Sequence, residues 1–345
     1  MACSEVEILT RQSIYSRVLM NEHRIAVVFP GQGSQTVGML ADMAGDFKEI
    51  KETFDIAADV LHYDLWRLIQ EGPADELDKT IHTQPALLAA SYALWRVIQN
   101  KYSLCPHFLA GHSLGEYSAL VCANALDFSD AIQLVAARGQ YMQEAMTPDT
   151  GAMAAIIGLE DQVVAQICRQ AINQPDEVLS PANYNSVGQI VIAGHRSAVL
   201  RALVISKEQG AKIAKLIPVS VPSHCELMKP ASDRLRKLLM NVKLNQPSIP
   251  VLSNVDVKYY SHGESIRDGL ARQLFMPVRW VETIQLFIQQ GVTTVIECGA
   301  GKILTGLNKR IDQNLQCLST VDLANLQMVL SMVSKVSKPV TGMKG

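Results

Sequence analysis

The residues in this chain best suited to chemistry are Gly111-His112-Ser113-Leu114-Gly115, a serine with a glycine two places to either side. The apolar run Phe108-Leu109-Ala110 leads into them and helix-favouring residues follow, so the stretch reads as a strand turning sharply into a helix with the serine at its tip. A Cβ at either glycine would collide with neighbouring backbone in so tight a turn. The new helix points its free N–H groups and positive end at Ser113, where an oxyanion forms during acyl transfer. A plain strand-to-helix turn with an incidental serine matches the same five residues, so a nucleophile needs partners elsewhere.

A serine hydroxyl is a poor nucleophile without a base in reach. Of the 8 histidines, His23, His62, His82, His107, His195 and His262 sit in helical or loop contexts with no link to the elbow. His112 adjoins Ser113, but neighbouring side chains diverge at a sharp turn, which makes it a structural or pocket-wall residue. His224 is the candidate base, because it lies on a turn before a helix and downstream of the serine, the chain order of α/β hydrolases. Cys225 is a rival nucleophile beside it; adjacent residues rarely converge on one atom, and a small buried hydrophobe is the simpler reading. Asp256 or a backbone carbonyl can orient the imidazole, and the residues alone leave both open. Arg138 falls in the middle of a helix, where a solvated surface charge is the default.

These residues need a scaffold. Ile25 to Phe29 reads as a buried strand running into Pro30-Gly31-Gln32-Gly33, and the glycines at 31, 33 and 38 do not make the G-x-G-x-x-G of a dinucleotide site. The loop suits close backbone approach to a substrate, with the Gln32 N–H as a donor. Residues 38–102 read as helices, broken at Gly72-Pro73, with Thr83-Gln84-Pro85 opening a helix from Ala86 to Gln99. Asp127 to Asp130 caps another from Ala131 to Met146. From Gly151 the order is strand 152–157, helix 161–171, strands 178–183 and 189–193, helix 197–209 and strand 212–217, the βαββαβ pattern of a ferredoxin-like unit. A helix to about Met240, strands at 249–253 and 293–297, and helices at 266–274 and 281–290 follow. The expected fold is therefore α/β, with a large unit of residues 23–148 and 219–320, an inserted small unit of 149–218, an N-terminal extension of 1–22 and a loose tail of 334–345.

With 345 residues the chain suits two folded units at about 100–200 residues each. A net charge of -2 and the lack of a basic run with aromatics argue against nucleic acid. The 7 cysteines are scattered without a C-x-x-C pair, so they read as reduced thiols, with neither a metal site nor a disulfide framework. The first residues show no apolar core of a secretory signal, and no apolar run is long enough to span a bilayer. A cytoplasmic, monomeric protein is expected, with Glu5 to Met20 either an amphipathic helix or a disordered lead.

Several stretches together resemble the malonyl-CoA:acyl carrier protein transacylase family, from about Ile25 to Leu315. They are Phe29-Pro30-Gly31-Gln32-Gly33-Ser34-Gln35, Thr83-Gln84-Pro85-Ala86, Gly111 to Leu120, Val219 to His224, Ser253-Asn254-Val255-Asp256, and Arg272-Gln273-Leu274 before Pro277-Val278-Arg279-Trp280. The resemblance implies a hydrolase-like core with a parallel sheet and an inserted ferredoxin-like subdomain. It implies Ser113 as the acylated nucleophile, His224 as its base, and the Gln273 carbonyl as the group orienting the imidazole. Gln32 and Leu114 would supply the oxyanion-hole N–H pair, Arg138 would grip the malonyl carboxylate, and Gln84 and His112 would line the pocket. The implied substrates are malonyl-CoA and the phosphopantetheine thiol of acyl carrier protein, with no metal or other cofactor, in fatty acid synthesis. Gly299-Ala300-Gly301 departs from the family's frequent Gly-Pro-Gly, and the 22-residue lead is extra. The absence of ketosynthase or carrier segments in the 345 residues favours the expectation of a free-standing enzyme over a megasynthase fragment. An acidic carrier would dock on basic residues such as Lys212, Lys215, Arg272 or Lys302. A serine esterase or thioesterase shares the elbow, and a non-catalytic carrier-binding subunit is the alternative of a different class.

Overall fold

The computed structural model describes residues 24–147, 149–219 and 221–336. The extension 1–22, with the helix considered for Glu5 to Met20, lies outside them. The first strand, β1 (Arg24–Phe29), is buried from Ile25 onward, as a central parallel strand covered on both faces must be. Helices α1 (Ala41–Ala44), α2 (Lys48–Leu61), α3 (Leu65–Glu71), α4 (Ala74–Leu77) and α5 (Thr80–Lys101) precede β2 (Phe108–Gly111), α6 (Gly115–Cys122) and α7 (Phe128–Glu144). The Asp127 carboxylate starts α7 by accepting from the Ser129 and Asp130 N–H groups.

The inserted stretch runs β3 (Gly151–Ile157), α8 (Asp161–Gln170), β4 (Leu179–Ser186), β5 (Gln189–His195), α9 (Arg196–Glu208) and β6 (Ile213–Ile217). Its strands pair antiparallel in the order β4-β5-β3-β6, the ferredoxin-like arrangement. Alternation along the strands sorts its two faces. Ala152, Ala154, Ile156, Ile190 and Ile192 pack on α8 and α9, while Met153, Val191 and Ala193 face the other way, toward Cys225.

The chain then returns to the large unit with α10 (Lys229–Leu239), β7 (Val251–Leu252), α11 (Gly263–Gln273), α12 (Trp280–Gln289), β8 (Val292–Glu297), α13 (Ile303–Ile311), β9 (Gln316–Ser319) and α14 (Leu323–Val336). Its sheet is wholly parallel, in the order β7-β2-β1-β8-β9. Ile25, Val27 and Phe29 of β1 enter the core on the α5–α6 face, and Ala26 and Val28 enter that on the Trp280 face. With β1 central and β2 beside it, the elbow after β2 sits at the carboxyl ends of the strands, where open α/β sheets place their ligands.

Three sequence expectations need correction. The helix expected to open after Pro85 begins at Thr80 and holds Pro85 inside it. Proline removes one early-turn hydrogen bond, and the burial of Ala86, Leu87, Ala90, Leu94 and Ile98 along α5 outweighs that loss. The strand expected at 249–253 shrinks to Val251–Leu252, paired on one side with β2. The large unit continues past residue 320: Ser334, Lys335 and Val336 end α14, whose Leu326, Val329 and Val333 are buried in the main core, so the loose tail does not start at 334. Residues 337–345 lie outside the described set.

Candidate active site

Ser113 sits at the turn between β2 and α6 with φ +52, a left-handed conformation that a serine holds only under constraint. Asn254, just past β7, supplies that constraint. Its Oδ1 accepts from the Ser113 N–H at 2.7 Å and its Nδ2 donates to the Gly111 carbonyl at 2.6 Å, pinning the turn from both sides. The two glycines are sterically required. A Cβ on Gly111 would lie 1.8 Å from the Gly115 carbonyl carbon, and one on Gly115 would lie 2.0 Å from the Phe29 oxygen. The loop after β1 crosses the elbow as closely, since a Cβ on Gly31 would lie 2.5 Å from the His112 oxygen.

His224 reaches the serine from a turn at φ +64, its N–H bonded to the Leu274 carbonyl at 2.9 Å. Its Nε2 lies 2.8 Å from Ser113 Oγ and its Nδ1 lies 2.7 Å from the Gln273 backbone oxygen. A carbonyl only accepts, so Nδ1 carries the proton and the Nε2 lone pair faces the hydroxyl. Burial, and then the nearby Arg138 charge, push the imidazole down to about 3, which keeps it neutral near pH 7. Asp256 takes no part, because its carboxylate is paired with the Arg272 guanidinium. Cys225 turns away to donate to the Pro222 carbonyl, and burial pushes its thiol up to about 12, as a packing residue rather than a nucleophile.

Arg138 is not a surface charge. It is 1% exposed, with Nη1 donating to Gln84 Oε1 at 2.9 Å and Nη2 donating to Gln273 Oε1 at 3.0 Å and to Ser113 Oγ at 3.2 Å. Its guanidinium lies over the Tyr117 ring, 5.7 Å from the centroid. Burial lowers its pKa, but a guanidinium starts so high that it stays charged. Among the described residues no carboxylate touches it.

A cavity of about 190 Å³ gathers these groups, lined by Gln32, Gln84, His112, Ser113, Leu114, Arg138 and His224. Its second wall comes from the small unit, through Met153, Asn183, Asn185, Val191 and Ile217. His112 forms part of the seam, with Nε2 2.8 Å from Asn185 Oδ1 and its ring 5.5 Å from that of Trp280; burial lowers its pKa. The backbone N–H groups of Gln32 and Leu114 donate to no acceptor among the described residues, and both residues border the cavity. Gln273 stands behind the cavity wall, its Nε2 donating to the Ser113 carbonyl at 2.9 Å and to Glu116 Oε2.

Three other histidines have local duties. His107 and His195 accept from the Ile25 and Val178 N–H groups, and His262 caps α11. Of the basic residues considered for carrier docking, Arg272 is held by Asp256 and Asp268, while Lys302 adjoins the cavity-lining Ile303. Asn254, Glu116, Tyr260 and Asn185 had no role assigned from sequence. Asn254 and Glu116 lie inside the stretches that carried the resemblance; Tyr260 and Asn185 carry no local signal. Among the described residues no helix is long and apolar enough to cross a membrane.

The acyl transferase domain family matches residues 26–320. The malonyl CoA-acyl carrier protein transacylase of Haemophilus influenzae is 55% identical over 307 residues, covering 89% of this chain and 98% of the relative. Its namesake in Escherichia coli K12 is 56% identical over 292 residues, 85% of this chain and 94% of that one. An acyl carrier protein S-malonyltransferase structure from Vibrio cholerae superposes with a TM-score of 0.85 at 55% identity, over 89% of this chain and 99% of the other. A malonyl-transacylase solved in complex with a type II PKS acyl-carrier protein gives 0.87 at 51% identity, over 90% and 99%.

Proposed function

The chain belongs to the malonyl CoA-acyl carrier protein transacylase family of acyl transferase domains, and from that premise we propose that it carries malonyl from malonyl-CoA to an acyl carrier protein thiol through malonyl-Ser113. The observation that carries the reading is the line Gln273 O, His224, Ser113 Oγ with a buried Arg138 reaching the same oxygen.

His224 Nε2 takes the Ser113 proton as Oγ attacks the thioester carbonyl, a transfer that contributes about a hundredfold to ten-thousandfold. The Gln273 carbonyl holds the Nδ1 proton and steadies the imidazolium that forms. The carbonyl oxygen gathers negative charge facing the Gln32 and Leu114 N–H groups and the start of α6, where one preorganised donor is worth roughly 3 kcal/mol. Collapse breaks the C–S bond and His224 returns its proton to the CoA sulfur. In the second half-reaction His224 takes the proton of the carrier's phosphopantetheine thiol, which attacks malonyl-Ser113, and the proton goes back to Ser113. Both steps are acyl transfers with proton movement alone, so the proposal includes no metal or other cofactor.

Arg138 gives the pocket its preference. Its Nη2 contact with Ser113 Oγ is released when that oxygen is acylated, leaving a guanidinium to meet the malonyl carboxylate. An acetyl group would offer the guanidinium no carboxylate to bind directly. The reading extends to a cytoplasmic monomer supplying extender units for fatty acid synthesis; a similar enzyme's complex with a carrier protein supports the partner.

Incubation with malonyl-CoA should add one malonyl group to the Ser113 peptide by mass spectrometry, and Ser113→Ala should abolish it. Label persisting on the Ser113→Ala protein would count against the assignment. Comparing hydrolysis with transfer to a carrier separates this enzyme from an esterase.

A further inference from the structure

One buried acid has no place in the steps above. Glu116, in the first turn of α6, is fully buried, and its carboxylate accepts from the Tyr260 hydroxyl, from Gln273 Nε2 and, at 3.4 Å, from the Asn254 N–H. The Gln273 amide therefore stands between two buried opposite charges. Its oxygen accepts a hydrogen bond from Arg138 and its nitrogen donates one to Glu116, so the amide cannot flip without losing both. The backbone oxygen of the same residue orients His224.

We propose that Glu116 is the resident counter-charge of Arg138, coupled to it through the Gln273 amide, and that it takes up a proton from solvent when the malonyl carboxylate reaches Arg138. The inference rests on the malonyl-transfer reading. In the empty site the Arg138 and Glu116 charges balance. A malonyl carboxylate adds a second negative charge to a dry cluster that holds one cation, and like charges in such a site favour protonation of one of them. Glu116 is the group able to respond. Burial pushes its carboxyl up to about 7, against the opposing pull of Tyr260, Gln273, Asn254 and Arg138. The titratable or charged groups facing it are Arg138 on α7, Tyr260 before α11 and its own neighbour Tyr117, and burial raises both tyrosines, which stay neutral. The other elements against α6, namely β1, β2 and α5, bring it no charged side chain among the described residues. Glu116 is thus a positioning residue, holding Gln273 and through it both Arg138 and the His224 acceptor.

The test follows protons and acyl groups in one sample. The full chain is mixed with malonyl-CoA at pH 7.5 in weak buffer with an indicator dye, and malonyl-Ser113 is counted by mass spectrometry. The wild type should take up a proton fraction approaching one per acyl-enzyme, and its KM for malonyl-CoA should climb by up to about tenfold per pH unit above pH 7. Glu116→Gln preserves a hydrogen-bonding amide but cannot titrate; it should show no uptake and a flat KM. Tyr260→Phe removes one donor that favours the carboxylate, so the climb in KM should move to higher pH. Malonyl-Ser113 formed without uptake in the wild type, or with equal uptake in Glu116→Gln, overturns the inference alone. Absence of malonyl-Ser113 overturns the transfer reading and the inference with it.

Discussion

A guanidinium that meets two amide oxygens and one hydroxyl, with no carboxylate in contact, is held in the interior against a desolvation penalty that an anionic guest offsets. On the malonyl-transfer reading, that asymmetry makes Arg138 the residue of selectivity. Replacing it with alanine removes charge-assisted hydrogen bonds of about 1.5–3 kcal/mol each, so kcat/KM for malonyl-CoA should fall by at least about a hundredfold. Activity with acetyl-CoA, which makes no such bond, should persist or rise. Steady-state kinetics with both thioesters checks this, and the ratio is the readout because a general loss of folding lowers both alike. A malonyl-to-acetyl preference unchanged in Arg138→Ala would show that the specificity lies elsewhere. The same residue marks a limit of reading from sequence. An arginine in mid-helix carries no local sign of burial; its environment is built by Gln84 on α5, Ser113 at the elbow and Gln273 on α11, each far away along the chain.

Elements were legible where their code is local. The elbow shows in five residues because the steric demand on Gly111 and Gly115 falls on immediate neighbours and on β1. The βαββαβ order shows because each strand alternates and each helix is bounded by turn residues, and the structure matches its sequence within a few residues. What escaped was β9, four residues whose partner is β8, and α14, whose buried Leu326, Val329 and Val333 are helically spaced but run into a polar end. The residue-level reading leaves Asp256 and a backbone carbonyl both open as the group orienting His224, for a related reason. A backbone carbonyl has no side-chain signature, and only the resemblance pointed to Gln273. The missed helix carries its own prediction. Its start is capped by the Asp42 carboxylate accepting from the Leu323 N–H at 2.7 Å, and its three fully buried side chains contribute of order 5–9 kcal/mol. A protein of ordinary stability holds about 5–15 kcal/mol in all. A chain ending at Thr320, where the family match stops, should therefore lose its cooperative thermal transition, while one ending at Val336 keeps it. Circular dichroism melts compare the two, and equal melting temperatures would refute the contribution assigned to α14.

At the scale of the whole molecule the site is a seam. Ser113, His224, Arg138 and Gln273 all belong to the large unit, which holds them together through its own hydrogen bonds. The small unit adds the far wall of the cavity and is joined beside it by backbone bonds, Tyr184 N–H to Val278 O and Val278 N–H to Ala182 O, both 2.9 Å. Asn185, one residue beyond Tyr184, extends that junction to the elbow by its bond to His112. The His112 backbone is separately fixed, its N–H on the Phe29 carbonyl at 2.9 Å, so losing the Asn185 contact loosens the wall without moving the serine. Asn185→Ala should then weaken ground-state and transition-state binding alike. A neutral hydrogen bond is worth about 1 kcal/mol, which makes the expected change roughly a fivefold rise in KM for malonyl-CoA with kcat little altered. Transfer assays at varied malonyl-CoA decide it. A fall in kcat at constant KM would mean that the small unit takes part in the reaction itself, and that the two halves of the cavity cannot be divided into a chemical wall and a binding wall.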